Sequence, residues 1–322
     1  MKTPPTFHSV LADRLTQYVT LRTRMGMRDT NYWLYLRELD QYASAHPEIT
    51  QLTQEVAIAV ACLHPTNTET QWARRYTTIR QFADYLVGLD PTMRPLDPYV
   101  LHVRRHRPPA DILTWAQIET LMHAVARISP KHPIAGYTLR VIIGLAACTG
   151  MRIGEVAGLD RADVDATTHV IQIRQTKFSK SRLVPVLPDT MDALTQYARV
   201  RDVTYPTPRD PAFFLNQRAR RLDKSTIEHG FVWAARVCAL RAADGPGPHF
   251  HSLRHTYAVR CLEGWYRDGR EIMSLLPVLA TYMGHARYTD TAYYITAVPE
   301  LLALAAERRD AAGWLTDMEA PQ

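Results

Sequence analysis

A proline-rich, basic segment around residue 100 divides this sequence into two parts. Between residues 89 and 117 the chain carries five prolines and the cluster RRHR. Because proline fixes φ and removes a backbone donor, no long helix can run through this segment. The length of 322 residues is enough for two domains of ordinary size. The predicted organisation is a helical domain at residues 1–90, a basic linker at 91–111 and a second domain at 112–322.

The first part of the chain has the patterns of α-helices. Apolar residues between positions 33 and 43 recur at helical spacing. Thr68 and Gln71 form the capping-box pattern that opens a later helix, whose apolar stripe is expected to face a core. The other faces of that helix carry Arg74 and Arg75 beside several threonines. Such a basic, hydroxyl-rich face suits contacts with phosphates, although a solvated surface is the commoner role.

The second part of the chain combines helices with two short strands. An amphipathic helix that Thr114 caps opens it. The sequence HVIQIRQTKFSKSRLVPV alternates like two strands joined by a polar, lysine-rich turn. We therefore predict a mainly α-helical protein with a small β-sheet, in which the second domain is α+β.

Composition excludes several classes of protein. The longest apolar run, VIIGLAAC at residues 141–148, is far too short to span a bilayer. The N-terminus lacks the apolar region of a secretory signal. The four cysteines include no CxxC pair, which argues against a disulfide framework or a zinc knuckle and predicts reduced, buried side chains. These features together predict an intracellular protein.

The balance of charges favours a polyanionic partner. Lys and Arg number 38 against 32 Asp and Glu, which gives a net charge of +6. A positive excess points to nucleic acid first, although many basic proteins bind none. Charge alone therefore does not decide the function.

Two segments carry basic residues in places that suit anion binding. In TGMRIGEVAGL, Arg152 follows a Thr-Gly turn and opens a helix, with Glu155 three residues later. This arrangement suits the binding of an oxyanion, and the alternative is a local ion pair on the surface. In RQTKFSKSRLVPV, the turn presents Lys177 and Lys180, either as a mobile proton donor or phosphate contact or as ordinary solvated lysines.

Two further segments carry histidines and tyrosines. In HFHSLRHTYAVR, His251 and Arg254 share a helix face. His255 lies four residues after His251, as in half of a metal site, but the zinc-protease pattern needs a glutamate where Ser252 stands, so we predict no metal ion. In GHARYTDTAYYITAV, His285 precedes three tyrosines, and aromatic residues so close to a helix are more often part of a core.

Taken in order, these segments resemble the signature blocks of the tyrosine recombinase (phage integrase) family. TGMRIGEVAGL, HSLRHTYA and YMGHARYTDTAYY are similar to its three blocks, and SRLVPV is similar to the strand after its lysine turn. The resemblance covers the whole second domain, and the helical first domain is compatible with it. It implies a helical DNA core-binding domain followed by an α+β catalytic domain.

The resemblance also assigns roles to individual residues. It implies a nucleophile nine residues after the Gly-His histidine in a Thr-x-x-Tyr context, which is Tyr294; Tyr293 misses by one position, and Tyr288 comes too early. Glu155 matches an acid that orients the catalytic groups, and Lys180 is the second choice for the lysine. The implied catalytic residues are Arg152, Lys177, His251, Arg254, His285 and Tyr294.

The implied reaction cuts and rejoins DNA without a metal or a cofactor. The tyrosine attacks a backbone phosphate, the 5′-hydroxyl leaves, and a 3′-phosphotyrosyl enzyme conserves the bond energy for rejoining. Two arginines are expected to clamp the phosphate, His251 to act as base, and Lys177 to protonate the leaving oxygen. The long insertion in WYRDGREIMSLLP favours an enzyme encoded by a mobile element over a resolvase of chromosome dimers. Such an enzyme is expected in the bacterial cytoplasm, associated with the nucleoid.

The implied partners are double-stranded DNA and further copies of the chain. We expect a tetrameric synapse on DNA and a monomer or dimer without it, and a need for accessory or sister recombinases stays open; no membrane partner is expected. The tail that contains Leu301, Leu302, Ala305 and Leu315 is expected to dock on a neighbouring protomer or to pack on its own domain. The expected contacts with the DNA backbone are Arg74, Arg75, Arg104, Arg105, Arg107 and Lys180.

Three other functions stay open at this stage, of which the most distant is a metal-dependent hydrolase that activity in the presence of a chelator would exclude. An enzyme of the type IB topoisomerase kind would use the same residues to relax DNA without exchanging strands. An accessory protein would bind DNA without catalysis, but the presence of all six catalytic residues argues against it.

Overall fold

The structure is a computed structural model of a chain that divides into two compact units, Met1–Arg107 and Pro108–Gln322. It describes residues 5–27, 30–101, 110–129, 131–174, 181–242, 245–285 and 291–294, together with Leu301, Ala303, Leu304 and Glu307. No helix within these ranges is both long enough and apolar enough to cross a membrane.

The described residues of the N-terminal unit form four helices. They are α1 (Ala12–Arg24), α2 (Thr30–Ala45), α3 (Gln54–Ala61) and α4 (Glu69–Leu89). Helix α4 packs against each of the other three and begins at the predicted capping box, in which Thr68 accepts a hydrogen bond from the Gln71 amide. The core includes the fully buried side chains of Leu15, Leu36, Leu39, Ile79 and Phe82.

The chain after α4 continues to pack on this unit. Leu96 is buried in its core, and Leu101 packs against the same cluster. The Tyr76 hydroxyl donates a hydrogen bond of 2.6 Å to the carbonyl of Asp97. The first residues of the segment predicted as a linker are therefore held by the helical unit.

One of the predicted DNA contacts is wrong. Arg75 is only 4% exposed, and its Nη2 lies 2.6 Å from Oε2 of Glu38. The same nitrogen donates to the carbonyl of Val60, and the guanidinium lies 5.3 Å from the ring centre of Tyr35. Because α4 turns this arginine towards α2 and α3, it stabilises the helical unit and is not available to DNA. Its neighbour Arg74 is exposed.

The C-terminal unit combines seven described helices with a small sheet, which confirms the predicted fold class. The helices are α5 (Trp115–Val125), α6 (Pro133–Thr149), α7 (Ile153–Gly158), α8 (Pro188–Thr204), α9 (Lys224–Val237), α10 (Phe250–Arg267) and α11 (Ile272–Met283). The strands are β1 (Val164–Asp165), β2 (Val170–Ile173) and β3 (Arg182–Pro185), which pair antiparallel in the order β1-β2-β3. Strand β1 was not predicted from the sequence, because a strand of two residues is too short to show the alternation of apolar and polar residues.

Helix α6 lies at the centre of this unit and determines where the next segment starts. It packs against α5, α8, α9 and α10, and it buries Ile142, Ile143 and Ala146. It ends at Gly150, whose φ of 62° is the left-handed conformation that glycine adopts without strain. This turn directs the chain into α7, with Arg152 at its start.

A second apolar cluster of this unit joins α10 and α11 to the chain that follows them. It includes the buried side chains of Leu276, Leu279, Tyr294 and Leu301, and Leu304 packs against it. The described start of the tail thus packs on its own unit, while Leu302, Ala305 and Leu315 lie outside the described residues.

The prediction of buried cysteines is wrong. All four cysteines are free thiols, but Cys148 is exposed and the other three are half-buried. Cys148 lies on α6 and Cys261 on α10, whereas Cys62 and Cys238 directly follow the ends of α3 and α9.

Candidate active site

Arg254 connects three segments that are far apart in the sequence. Its side chain is 1% exposed, although it carries a charge. Nη1 donates to the carbonyl of Gly150 at 2.6 Å, and Nη2 donates to the carbonyl of Met283 at 2.9 Å. The start of α10 is therefore tied to the turn before α7 and to the end of α11. Burial and the nearby Arg152 lower the pKa of Arg254 to about 9, so it stays charged at neutral pH.

Arg152 lies at the same place but keeps contact with solvent. Its Nη1 donates to Oε1 of Glu155 at 2.9 Å, and its Nη2 donates to the carbonyl of Gly284 at 2.7 Å. About a third of the side chain remains exposed, 36% in all. The sequence analysis left two alternatives for Arg152, an anion-binding site or an ion pair with Glu155 on the surface. In the structure the ion pair forms, and the Glu155 carboxylate in it is buried. The exposed part of the guanidinium is still available to an anion.

Glu155 has a second partner that the sequence analysis missed. Arg182, at the start of β3, donates to both carboxylate oxygens of Glu155 at 2.8 Å, and its Nε donates to the carbonyl of Tyr282. Burial alone would raise the pKa of Glu155, but the hydrogen bonds from Arg182 and Arg152 lower it to about 2. The sequence signal for this partner was the arginine of SRLVPV, which is Arg182. The sequence analysis considered only the lysines of the preceding turn.

Gly284 allows these groups to approach one another. It ends α11 with a φ of 69°, and a Cβ added there would lie 2.6 Å from Nη1 of Arg182. Any other residue would be strained by the left-handed backbone and would displace the guanidinium. Close packing against Arg182 and the left-handed backbone therefore explain why a glycine precedes His285.

Three histidines surround the arginines. His251 and His255 lie one helical turn apart on α10, with ring centres 4.7 Å apart. Desolvation lowers the pKa of His251 to about 3 and of His255 to about 4, and Arg254 adds to both effects. Desolvation and the two arginines also lower the pKa of His285 to about 3. All three rings are therefore neutral at neutral pH, and each can both donate and accept a hydrogen bond.

The tyrosine segment is attached to this group at two points. The Tyr294 hydroxyl lies 2.7 Å from Nδ1 of His255, and the Thr291 hydroxyl lies 2.6 Å from Nδ1 of His285. Tyr294 is 3% exposed, whereas Tyr293 is half-buried against the same apolar cluster. Sequence reasoning considered His255 only as a metal ligand and missed its contact with Tyr294.

Several predicted site residues cannot be placed. Lys177, Lys180, Arg104, Arg105, Arg107 and Tyr288 lie outside the described residues. The roles predicted for the lysines and for the linker arginines stay predictions.

A polar cleft opens beside Arg152. Its volume is about 730 Å³, and its lining includes Arg152, His251, Arg174 and Lys224. Lys224 extends over the first turn of α7. Its Nζ is so close to Gly154 that a Cβ added to this glycine would lie 3.0 Å from it. Within the described ranges, no three potential ligands are grouped to hold a metal ion. Three carboxylates, those of Glu155, Asp160 and Asp163, also line the cleft, and each pairs with an arginine. Arg152, Arg174 and Lys224 keep part of their side chains in solvent, which suits a phosphate group.

Comparison of the sequence with known proteins gives a consistent result. The sequence profile described as the phage integrase family matches residues 111–300. The putative integrase/recombinase y4rE of Sinorhizobium fredii is 39% identical over 302 residues, which cover 94% of this chain and 96% of that protein.

Solved structures show the same fold. The XerH site-specific recombinase, bound to its palindromic difH substrate in a post-cleavage complex, superposes with a TM-score of 0.63 at 15% identity, over 89% of this chain and 79% of that one. A lambda integrase tetramer bound to a Holliday junction gives a TM-score of 0.59 at 17% identity, over 88% of this chain and 76% of that one. At such identities the likeness concerns the fold.

Proposed function

This chain belongs to the phage integrase family and is a tyrosine-type site-specific DNA recombinase, and on that premise we propose that Tyr294 is its nucleophile. The proposed catalytic set is Arg152, Lys177, His251, Arg254, His285 and Tyr294. The observation that supports it most strongly is the convergence at the end of α11, where both arginines bind carbonyls of residues 283–284 and His285 binds the tyrosine segment.

The two arginines stabilise the charge of the reacting phosphate. As the phosphorus becomes five-coordinate, charge builds on its two non-bridging oxygens, and guanidinium groups match these oxygens in charge and geometry. Arg152 is partly exposed beside the cleft, and Arg254 holds the backbone around it. Losing one positioned donor of this kind costs about 2.7–4 kcal/mol of transition-state stabilisation. The arginines thus take the part that a metal ion plays elsewhere, and we expect activity in the presence of a chelator.

Proton transfers complete the chemistry. Free tyrosine has a pKa of about 10, so the attacking hydroxyl needs a base or a strongly positive site. His251 is the proposed base, and it is neutral and adjacent to the cleft. As the bond from the Tyr294 oxygen to phosphorus forms, the bond to the 5′-oxygen breaks, and Lys177 gives that oxygen a proton. The product is a 3′-phosphotyrosyl enzyme and a free 5′-hydroxyl. The negative phosphate raises the pKa of a nearby imidazole and so helps it to accept the proton.

DNA and further copies of the chain are the proposed partners. The helical N-terminal unit acts as the core-binding domain, and its exposed Arg74 contacts the DNA backbone. Arg104, Arg105, Arg107 and Lys180 add contacts, and four protomers form the synapse. The lambda integrase tetramer on a Holliday junction supports this assembly. The enzyme acts on a mobile element in the bacterial cytoplasm, and the integrase/recombinase relative is compatible with that role.

A covalent-trap assay tests this proposal. The full chain is incubated with labelled, nicked DNA fragments from the flanks of its gene, with and without EDTA. We expect an adduct that resists SDS, in equal yield with the chelator. If no fragment gives an adduct although several bind at low salt, the protein binds DNA without this chemistry. If EDTA abolishes the adduct, the metal-independent mechanism is wrong.

A further inference from the structure

Three consecutive backbone carbonyls at the end of α11 each accept a hydrogen bond from a different arginine. The carbonyls of residues 282–284 accept, in that order, at 2.8, 2.9 and 2.7 Å from Arg182, Arg254 and Arg152. The last carbonyls of a helix lack partners within the helix and carry its partial negative charge, so they attract cations. Arg152 and Arg254 belong to the proposed catalytic set, whereas Arg182 does not.

Arg182 binds the carboxylate of Glu155 with its two other nitrogens. Its Nη1 donates to Oε1 and its Nη2 donates to Oε2, each at 2.8 Å. The same two oxygens accept from Nη1 and from the backbone amide of Arg152, each at 2.9 Å. Each carboxylate oxygen thus has two donors, and the Glu155 side chain is only 7% exposed. Two arginines therefore share one buried carboxylate.

Arg182 has little surface left for a phosphate. Its Nε, Nη1 and Nη2 all donate to acceptors within the protein, and the side chain is 12% exposed. The strand that begins with Arg182 is also bound to α11 at a second point, where the Tyr282 hydroxyl donates to the carbonyl of Pro185 at 3.1 Å. Arg182 can therefore influence a phosphate in the cleft only through Glu155 and the end of α11.

The shared carboxylate explains what Arg182 provides to the site. Two guanidinium groups around one carboxylate leave positive charge in excess, and Arg152 is the partly exposed member beside the cleft. Without Arg182, Arg152 and Glu155 would form a pair whose charges cancel. The buried carboxylate would then compete with a phosphate for the Arg152 guanidinium. A reacting phosphate would meet less positive charge and a displaced donor.

We propose that Arg182 is a positioning residue for strand cleavage, which holds Glu155 and the end of α11 so that the Arg152 guanidinium stays available to the phosphate. This inference rests on the proposed role of Arg152 in stabilising the reacting phosphate. The loss of Arg182 should slow the cleavage of bound DNA. Affinity for DNA, which sums many contacts with phosphates, should change little.

The first test compares the rate of cleavage with the affinity for DNA. Adduct formation by the full chain is measured in single turnover at saturating nicked DNA, and the dissociation constant is measured by filter binding. In Arg182→Gln we expect the rate to fall about 10- to 100-fold, as when the outer partner of a ligating side chain is lost. The dissociation constant should stay near that of the wild type. Arg182→Lys, which keeps the charge without the planar fork of donors, should lie between Arg182→Gln and the wild type.

The matched control is Arg201→Gln. Arg201 is a buried arginine of the same unit, 3% exposed, and it also binds a carboxylate and a backbone carbonyl, those of Asp202 and Ala212. This variant should lose stability in urea but keep the wild-type rate at saturating DNA. An equal loss of rate in Arg201→Gln and Arg182→Gln would show that Arg182 only stabilises the fold.

The second test removes the carboxylate together with its partner. When Glu155→Gln is added to Arg182→Gln, no buried carboxylate competes for Arg152. Since contacting residues are coupled, we expect this double variant to form the adduct at least about 2-fold faster than Arg182→Gln alone. A wild-type rate in Arg182→Gln, or a double variant no faster than Arg182→Gln, would overturn the proposal. A wild type that forms no adduct contradicts the proposed function and this inference together, so the two failures are distinguishable.

Discussion

At the scale of residues, the two arginines of the site, one buried and one partly exposed, have different roles. Arg254 is enclosed and bonded to two backbone carbonyls, while Arg152 keeps a third of its side chain in solvent. A lysine in either place keeps the charge but loses the planar fork of donors. The two arginines should therefore differ in what their substitution damages.

We expect Arg254→Lys to lower both activity and stability, and Arg152→Lys to lower mainly activity. In Arg254→Lys, a buried carbonyl loses its donor, which costs about 1–3 kcal/mol in the free energy of unfolding. Each variant should cleave at least about 100-fold more slowly. Urea unfolding and single-turnover adduct formation measure the two effects. Equal losses of stability in both variants would contradict the different roles assigned to them.

Glu155 gives the site a dependence on pH. Its pKa is about 2 in the folded protein, below the ordinary value of 4.5, because Arg182 and Arg152 overcome the effect of burial. A lowered folded-state pKa stabilises the fold above pH 4.5, and this stabilisation is lost as the pH falls from 4.5 through 2. We expect the wild type to be more stable than Glu155→Gln at pH 7 and the difference to shrink between pH 5 and pH 2. Urea unfolding at fixed ionic strength measures this, and a difference that stays constant would show that the carboxylate charge is not responsible.

At the scale of elements, the end of α11 is where backbone geometry and chemistry depend on each other. Gly284→Ala should destabilise the fold by about 1 kcal/mol or more, because of its φ of 69° and the contact with Arg182. Gly264→Ala is the matched control, since Gly264 lies inside α10 and nothing stands within 4 Å of an added Cβ. This control should be stabilised by about 0.5–1 kcal/mol. Thermal unfolding of both variants checks the prediction, and a shift of the same sign in both would contradict it.

Local signals predicted the elements, whereas the contacts between elements needed the structure. The capping box at Thr68 begins α4 and the cap at Thr114 begins α5, as predicted, because caps depend on residues within three positions of each other. Strands β2 and β3 pair as their alternation predicts, with Ile171 opposite Val184. Nothing local reveals that Arg75 faces Glu38, since this depends on the rotation of α4 about its axis.

The site was predicted unevenly for the same reason. The family pattern identifies residues by type and spacing, and so it gives Arg152, Arg254 and Tyr294. It does not give the pairing of Arg182 with Glu155 or of His255 with Tyr294. These contacts join residues 27 and 39 positions apart and are decided by tertiary packing.

At the scale of the whole molecule, the helical unit and the catalytic unit should share the binding of DNA. Contacts with phosphates release counterions, so each lost contact lowers the slope of log K against log salt by about 0.9. We expect Arg74→Ala to weaken DNA binding and to reduce the slope by about one such contact, with the fold intact. Arg75→Ala should instead lower the free energy of unfolding by about 3 kcal/mol, because it removes the buried arginine partner of Glu38 and leaves that carboxylate only its contact with His64. Filter binding at graded salt and urea unfolding distinguish the two, and an unchanged slope in Arg74→Ala would remove it from the interface.

The identity of the nucleophile is the central claim, and mapping the covalent adduct tests it most directly. The adduct trapped on nicked DNA is digested with nuclease and protease, and mass spectrometry locates the residue that carries the phosphate. We predict that it is Tyr294, that Tyr294→Phe forms no adduct, and that Tyr293→Phe still forms one. A phosphate on Tyr293 or on any other residue, or an adduct that persists in Tyr294→Phe, would contradict the account.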